Sequence, residues 1–205
     1  EQHVWAGHNV APEGKVSSEL LDAQVRAKPA STYAVEEMFF GSMRLLEDGF
    51  RHKYEISLFT HDIDDSEAGQ QISRFASKDR ASLLRLAKDI IRVFSDRLNI
   101  TELRKLSTHQ EKAKLGSNKL LQNILAEKIG DDKARRVFAE IAGAYEMRVG
   151  DAHPTGSKVT DAIKLAGVDE EDSPLRQGEQ LIHNVGRSIW HTGKFLFGET
   201  DDSDE

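Results

Sequence analysis

The sequence predicts an all-α protein, and three observations support that prediction. Apolar residues recur every three or four positions along several long segments, which is the spacing of one buried helix face. All four prolines lie outside those segments, and no run of residues alternates between apolar and polar as a half-buried strand does. We therefore expect a helical bundle with an irregular N-terminal helical extension.

The first half of the chain predicts a short helix over 17–28 and two long ones. The first long helix is expected from 31 to about 60, and an acidic connector follows it. Its apolar stripe consists of Val35, Phe39, Met43, Leu46, Phe50, Tyr54 and Leu58. The second is expected from about 70 to 99, with basic residues opposite its stripe. That stripe is Leu83, Ala87, Ile90, Phe94 and Leu98, and the basic residues are Lys78, Arg85, Lys88 and Arg92.

The second half of the chain carries clearer helix ends. A helix over 117–129 stops at Gly130, and one over 131–149 is expected to turn four side chains inward: Val137, Ile141, Ala144 and Tyr145. After a loop at 150–156, a short helix over 157–166 is closed by Gly167. Ser173 and Pro174 then provide the cap and first turn of a last helix that reaches about 197.

This pattern suggests three parts. Residues 1–68 form the N-terminal helical extension, 69–198 the bundle, and 199–205 an acidic tail without apolar residues, which is expected to be disordered. The N-terminus has neither an initiator Met nor a signal-peptide core, which predicts either a trimmed chain or a piece of a larger protein that has further domains.

Composition excludes several kinds of protein. There is no cysteine, so disulfide frameworks, zinc ribbons, iron–sulfur sites and cysteine nucleophiles are ruled out. No apolar run is long enough for a membrane span, and we expect a cytoplasmic location. The net charge of −7 argues against bulk coating of nucleic acid. Residues 72–121 nevertheless hold twelve Lys or Arg against five Asp or Glu, which indicates a solvated helix face or a ligand-facing one.

The segment most suited to chemistry is 145–154, which places Arg148 five positions before His153 at the end of a predicted helix. On a straight helix these side chains point about 140° apart, so they cooperate only where the helix loosens. Gly150 and Pro154 both favour such loosening. An Arg can hold a phosphate oxygen and a His can move a proton near neutral pH. The pair therefore suits metal-free cleavage of RNA, in which the 2′-hydroxyl attacks.

An Arg-x4-His motif near a helix end in an all-α bundle resembles the HEPN superfamily (higher eukaryotes and prokaryotes nucleotide-binding). The resemblance implies a metal-independent endoribonuclease, of a kind found in toxins and phage defence, acting on RNA as a homodimer without a cofactor. It implies that Arg148 contacts the phosphate and His153 transfers the proton. Tyr145, one turn before Arg148, is a candidate to stack on a base or to hold Arg148, and Asp151 is a candidate to pair with Arg148.

The motif also departs from the family, which often has a polar residue where this chain has Val149. A polar residue on an earlier helix is also common there, with Asp89, Asn118 and Glu127 as candidates. Inactive members serve as assembly modules, so the alternative is a non-catalytic helical module that dimerises or binds a partner. A domain that binds nucleotide without cleaving RNA is a third possibility.

The other histidines of the chain are weaker candidates for a functional site. His61-Asp62 is similar to the paired ligands of HD-type metal phosphohydrolases, with His52 and His109 as companions, but an acidic loop explains it without a metal. His183 and His191 lie eight residues apart on the last predicted helix and are interpreted as core or surface residues.

Overall fold

The computed structural model describes residues 25–27, 34–61, 72–150 and 157–198. Within these ranges the protein is all-helical, as predicted, without a β-strand. Its eight α-helices are α1 (Val35–Tyr54), α2 (Arg80–Phe94), α3 (Ile100–Leu106), α4 (Ser117–Ile129), α5 (Asp131–Val137), α6 (Ala139–Gly150), α7 (Ser157–Leu165) and α8 (Pro174–Phe197). Two 3-10 turns, Arg74–Ala76 and Lys112–Lys114, precede α2 and α4. None of these helices combines the length and apolarity that crossing a membrane requires.

The helix ends with strong sequence signals lie where they were expected. Gly130 follows α4 with φ of 83°, and Gly167 follows α7 with φ of 71°, a region that favours glycine. Ser173 caps α8 by accepting a hydrogen bond from the Arg176 backbone N–H, and Pro174 occupies the first turn. The predicted bounds of these three helices are therefore confirmed to within a residue.

The second long helix is shorter than expected, and the prediction of one helix from 70 to 99 is wrong. α2 begins after Asp79, whose side chain forms a capping box with Ser82, and it ends at Phe94. A turn follows, and Leu98 then forms an isolated antiparallel bridge with Phe59. Because Leu98 is buried like the stripe before it, the apolar spacing continues across the turn and hides the helix end. The short helix α3 was not predicted.

The predicted helix over 131–149 is likewise divided, since α5 ends at Val137 and α6 begins at Ala139. The prediction that Tyr145 faces inward is also wrong, because 44% of it is exposed. Ile141 and Ala144 are fully buried, as predicted, and Met147 completes the inner face of α6.

The last helix forms the centre of the bundle. α8 packs along α1 and also contacts α2, α4, α5 and α6. Close approach to α1 depends on Gly186, where a Cβ atom would lie 3.1 Å from the Phe39 Cα. The compact unit that contains these helices begins at Ala34, so α1 belongs with the bundle, whereas the sequence suggested a boundary between 68 and 69. The predicted helix over 17–28 and the acidic tail lie almost wholly outside the described residues.

Two polar clusters fix the ends of α1 and α8. Glu47, 7% exposed, accepts hydrogen bonds from the backbone N–H groups of Leu58 (2.8 Å) and Phe59 (3.1 Å), and so holds the segment after α1. Lys53 and Lys128 both donate to the Leu196 carbonyl, at 3.2 and 3.0 Å. Burial lowers the pKa of Lys128, and the charge of Lys53 lowers it further.

His191 on α8 lies in a partly buried environment. Its ring stacks on Phe195, with 6.1 Å between the ring centroids. Burial lowers the pKa of His191, the charges of Arg187 and Lys194 act in the same direction, and Glu140 opposes them. The neutral ring is therefore the form that the fold favours.

Candidate functional site

Arg148 lies in the last turn of α6, where the helix brings it beside the turn that follows α2. Its guanidinium Nη1 donates to both carboxylate oxygens of Asp96, at 2.7 and 2.9 Å. Asp96 is held in that turn because its backbone N–H donates to the Ile91 carbonyl at 3.2 Å. The two side chains are 34% and 44% exposed, so solvent reaches both.

The ion pair with Asp96 keeps the Arg148 guanidinium charged and in position. The hydrogen bond to Asp96 raises the pKa of Arg148, so the guanidinium stays charged. An ion pair this exposed contributes only about 0.2–1 kcal/mol to stability. Since both bonds to Asp96 use Nη1, the guanidinium also carries N–H donors on Nε and Nη2 that an anion could use. Asp96 therefore orients Arg148 without burying it.

Two of the four predicted site residues, Asp151 and His153, lie outside the described residues. The other two, Tyr145 and Arg148, occupy adjacent turns of α6. The structure therefore gives the positions of Tyr145 and Arg148, and the Arg148–His153 pairing stays a prediction. Val149, the departure from the family pattern, is 63% exposed beside Arg148.

A cavity of about 410 Å³ opens next to the Arg148–Asp96 pair; we call it the α4 cavity. It lies between the turn after α2, the start of α4 and α6 together with the residue before it. Its lining consists of Ser95, Asp96, Gly116, Ser117, Asn118, Lys119, Gln122, Phe138, Ile141, Ala142, Tyr145 and Glu146. Tyr145, exposed at the edge of the α6 inner face, thus belongs to this cavity and not to the core.

Two residues of the cavity lining each have a buried side-chain oxygen without a hydrogen-bond partner. Ser95 is only 2% exposed and its Oγ is unpartnered, as is the buried Oδ1 of Asn118. The neighbouring Ser117 differs, because its hydroxyl donates to the Ser95 carbonyl at 3.0 Å. A buried polar group left unpaired costs about 1–3 kcal/mol, so such groups need a specific reason.

The acidic partner of Arg148 was missed by sequence reasoning, which named Asp89, Asn118 and Glu127 as candidates for the polar residue on an earlier helix. Asp96 makes that contact from 52 positions away, and no local pattern marks it. Asn118 lies in the same cavity, as noted. Glu127 is engaged elsewhere, since it accepts from the backbone N–H and the hydroxyl of Thr108 at 2.9 and 2.7 Å.

The basic stretch at 72–121 mostly faces solvent or pairs with acidic neighbours. The four basic side chains predicted opposite the α2 stripe are all exposed: Lys78, Arg85, Lys88 and Arg92. Others form ion pairs, among them Arg80 with Glu170 and Lys105 with Glu102. This stretch is therefore largely a solvated face.

No group of three or more His, Asp or Glu residues within the described ranges is placed to hold a metal ion. Of the HD-type candidates, Asp62 lies outside those ranges, and His52 is exposed on α1. His109 uses its Nδ1 to accept from the Glu111 backbone N–H at 3.1 Å, which is a local turn contact.

A scan against protein-family models, a search of curated proteins and a search of solved structures each found no match to this chain. The family resemblance thus depends on the Arg-x4-His motif and the helical setting of Arg148.

Proposed function

We propose that this chain is a HEPN-like, metal-independent endoribonuclease domain whose active site lies at the end of α6. The observation that carries the proposal is the Arg148 guanidinium, held by Asp96 at 2.7 and 2.9 Å beside the α4 cavity. A fixed and partly exposed cation next to a cavity lined by polar and aromatic groups suits an RNA phosphate with its attached nucleoside.

The chemistry needs one cation and one proton carrier. The 2′-oxygen of the RNA forms a bond to phosphorus and loses its proton, while the bond from phosphorus to the 5′-oxygen breaks and that oxygen gains a proton. The products are a 2′,3′-cyclic phosphate and a 5′-hydroxyl. In this proposal Arg148 steadies the charge on the phosphoryl oxygens, and His153 carries the proton at the 2′- or 5′-oxygen. Asp96 is a positioning residue that acts through Arg148.

The test is an RNA cleavage assay in EDTA with the wild-type chain, H153A and R148A. We expect cleavage in EDTA with 2′,3′-cyclic phosphate ends, and a loss of about 10²-fold or more in each variant. The matched control is R135A, because Arg135 also forms a surface pair with an aspartate, Asp132, at 2.7 Å. Full activity in R135A is expected, whereas full activity in H153A would refute the role given to His153.

The role of Asp96 is tested by D96N. If Asp96 only orients Arg148, this variant should lower kcat, because the guanidinium is no longer held in position. KM should rise less than kcat falls, because the phosphate no longer competes with a carboxylate for Arg148. Its free energy of unfolding should fall by less than about 1 kcal/mol, as for other exposed ion pairs.

A second candidate, the non-catalytic dimerisation module, is favoured by a different surface. Leu45 of α1 is 60% exposed and Trp190 of α8 is 43% exposed, and both line a groove of about 300 Å³. Exposed large apolar side chains that share one face are typical of interfaces. We propose a second copy of the chain as the occupant. Light scattering after size exclusion should then give a dimer that L45D dissociates, and a wild-type monomer at high concentration would count against it.

A further inference from the structure

The strongest unexplained feature of the molecule is a pair of unpartnered side-chain oxygens, Ser95 Oγ and Asn118 Oδ1, on two residues of the α4 cavity lining. These residues come from different elements, the turn after α2 and the first turn of α4, and the two oxygens themselves are buried. Ser77 provides a comparison, since it is 3% exposed with an unpartnered Oγ but does not line this cavity. Both side chains can rotate about their last torsion angle, so a ligand in the cavity would give these two buried oxygens the hydrogen-bond partners that they lack.

The remaining lining favours a flat ring with apolar faces. Phe138, Ile141 and Ala142 form an apolar wall, and Tyr145 lies at its edge with 44% exposure. The volume of about 410 Å³ lies within the usual range of small-molecule sites. Aromatic side chains of this kind stack on nucleobases.

Charge argues that the phosphate lies outside the cavity. The cavity lining contains two carboxylates, Asp96 and Glu146, against one cation, Lys119. Arg148, which pairs with Asp96, is not part of the lining. An anion is therefore better placed at Arg148, with the attached base in the cavity.

We propose that the α4 cavity is a base-binding subsite that accepts an adenine next to the phosphate held by Arg148. This proposal rests on RNA being the substrate, as proposed above. Asn118 is the specificity-determining residue: its carboxamide pairs with the adenine amino group and an adjacent ring nitrogen, a donor–acceptor match that asparagine makes with adenine. Ser95 contributes a second polar contact, and Tyr145 stacks on the base. Inosine, which replaces the amino group with a carbonyl, loses that match.

The experiment is a titration of the full chain with adenosine, inosine or uridine, followed by the ¹H–¹⁵N NMR signals of the Asn118 side chain and of the α4 backbone. Adenosine is expected to shift these signals at millimolar concentration and to bind at least about 10-fold more tightly than inosine or uridine. N118L, of nearly equal size, should weaken adenosine binding about 10-fold or more, and S95A should also weaken it. S77A is the matched control and should bind as the wild type does.

Stability measurements separate a binding role from a structural one. Since Asn118 Oδ1 has no partner to lose, N118L should unfold at the same temperature as the wild type or a higher one. Unchanged adenosine binding in both N118L and S95A would overturn the proposal, as would equal binding of the three nucleosides or no binding at all.

The outcomes also distinguish this subsite from the nuclease itself. Selective adenosine binding without RNA cleavage would support the subsite while the proposed activity fails. Cleavage that depends on His153, but has the same base preference in wild type and N118L, would keep the activity and overturn the subsite.

Discussion

Replacing Gly143 by alanine should disrupt the packing of α6, the helix that carries Arg148, against the end of α7. A Cβ atom at position 143 would lie 2.7 Å from the Leu165 carbonyl carbon and 2.8 Å from the Ala166 Cα. The Ala166 backbone nitrogen would lie closer still, and ordinary contact begins near 3.4 Å, so the two backbones must separate by roughly 1 Å. None of these atoms belongs to a side chain that could rotate away.

The expected cost follows from that separation. Overpacking in a well-packed region costs about 1–3 kcal/mol, and here rigid backbone places it at the upper end. The gap that opens also weakens dispersion contacts along the buried side of α7, which includes Ile163 and Ala166. Alanine recovers about 1 kcal/mol of helix propensity. We expect a net loss of about 2 kcal/mol in the free energy of unfolding, or about 4–8 °C in Tm.

The control is G41A, because a Cβ atom at Gly41 of α1 would meet nothing within 4 Å. This variant should gain about 0.5–1 kcal/mol from helix propensity alone. Urea unfolding followed by circular dichroism at a common m-value measures both variants. A G143A chain as stable as the wild type would refute the close contact between α6 and α7.

Two further predictions concern other buried groups. Since the pKa of His191 lies below its ordinary value of 6.5 in the folded state, its contribution to stability is complete above that pH and is lost as the pH falls. Urea unfolding at pH 7.5 and 5.5 should therefore show a smaller pH dependence in H191Q than in the wild type, and equal dependence would contradict this assignment. E47A should lower the free energy of unfolding by about 2–4 kcal/mol, because it leaves the buried N–H groups of Leu58 and Phe59 unpaired. E47Q keeps one acceptor and should lose less, so similar losses in the two variants would argue against these hydrogen bonds.

The sequence predicted the parts of the fold that local chemistry controls. The ends of α4, α7 and α8 coincide with Gly130, Gly167 and the Ser173–Pro174 pair, each of which acts within a few residues. The end of α2 was missed because Leu98 keeps the apolar spacing after the helix has stopped. Apolar periodicity reports which side chains are buried, and it does not report whether the backbone between them is helical throughout.

The candidate site was predictable only in part, for a related reason. Arg148 stood out because its motif is local, whereas its contact with Asp96 spans 52 positions and exists only in the folded chain. Tyr145 was placed in the core because it lies one turn after Ile141. A shift of about 40° around the helix was enough to move it to the cavity edge.

The position of α8 at the centre of the bundle determines the order in which a growing chain can fold. The apolar stripe of α1, with Phe39, Met43 and Phe50 fully buried, is covered largely by a helix at the far end of the described chain. During synthesis α1 emerges first and has to wait until Pro174–Phe197 is made. A ribosome stalled before Pro174 would present that stripe to chaperones or to other nascent chains, so synonymous codons that slow translation there should lower soluble yield without altering the protein.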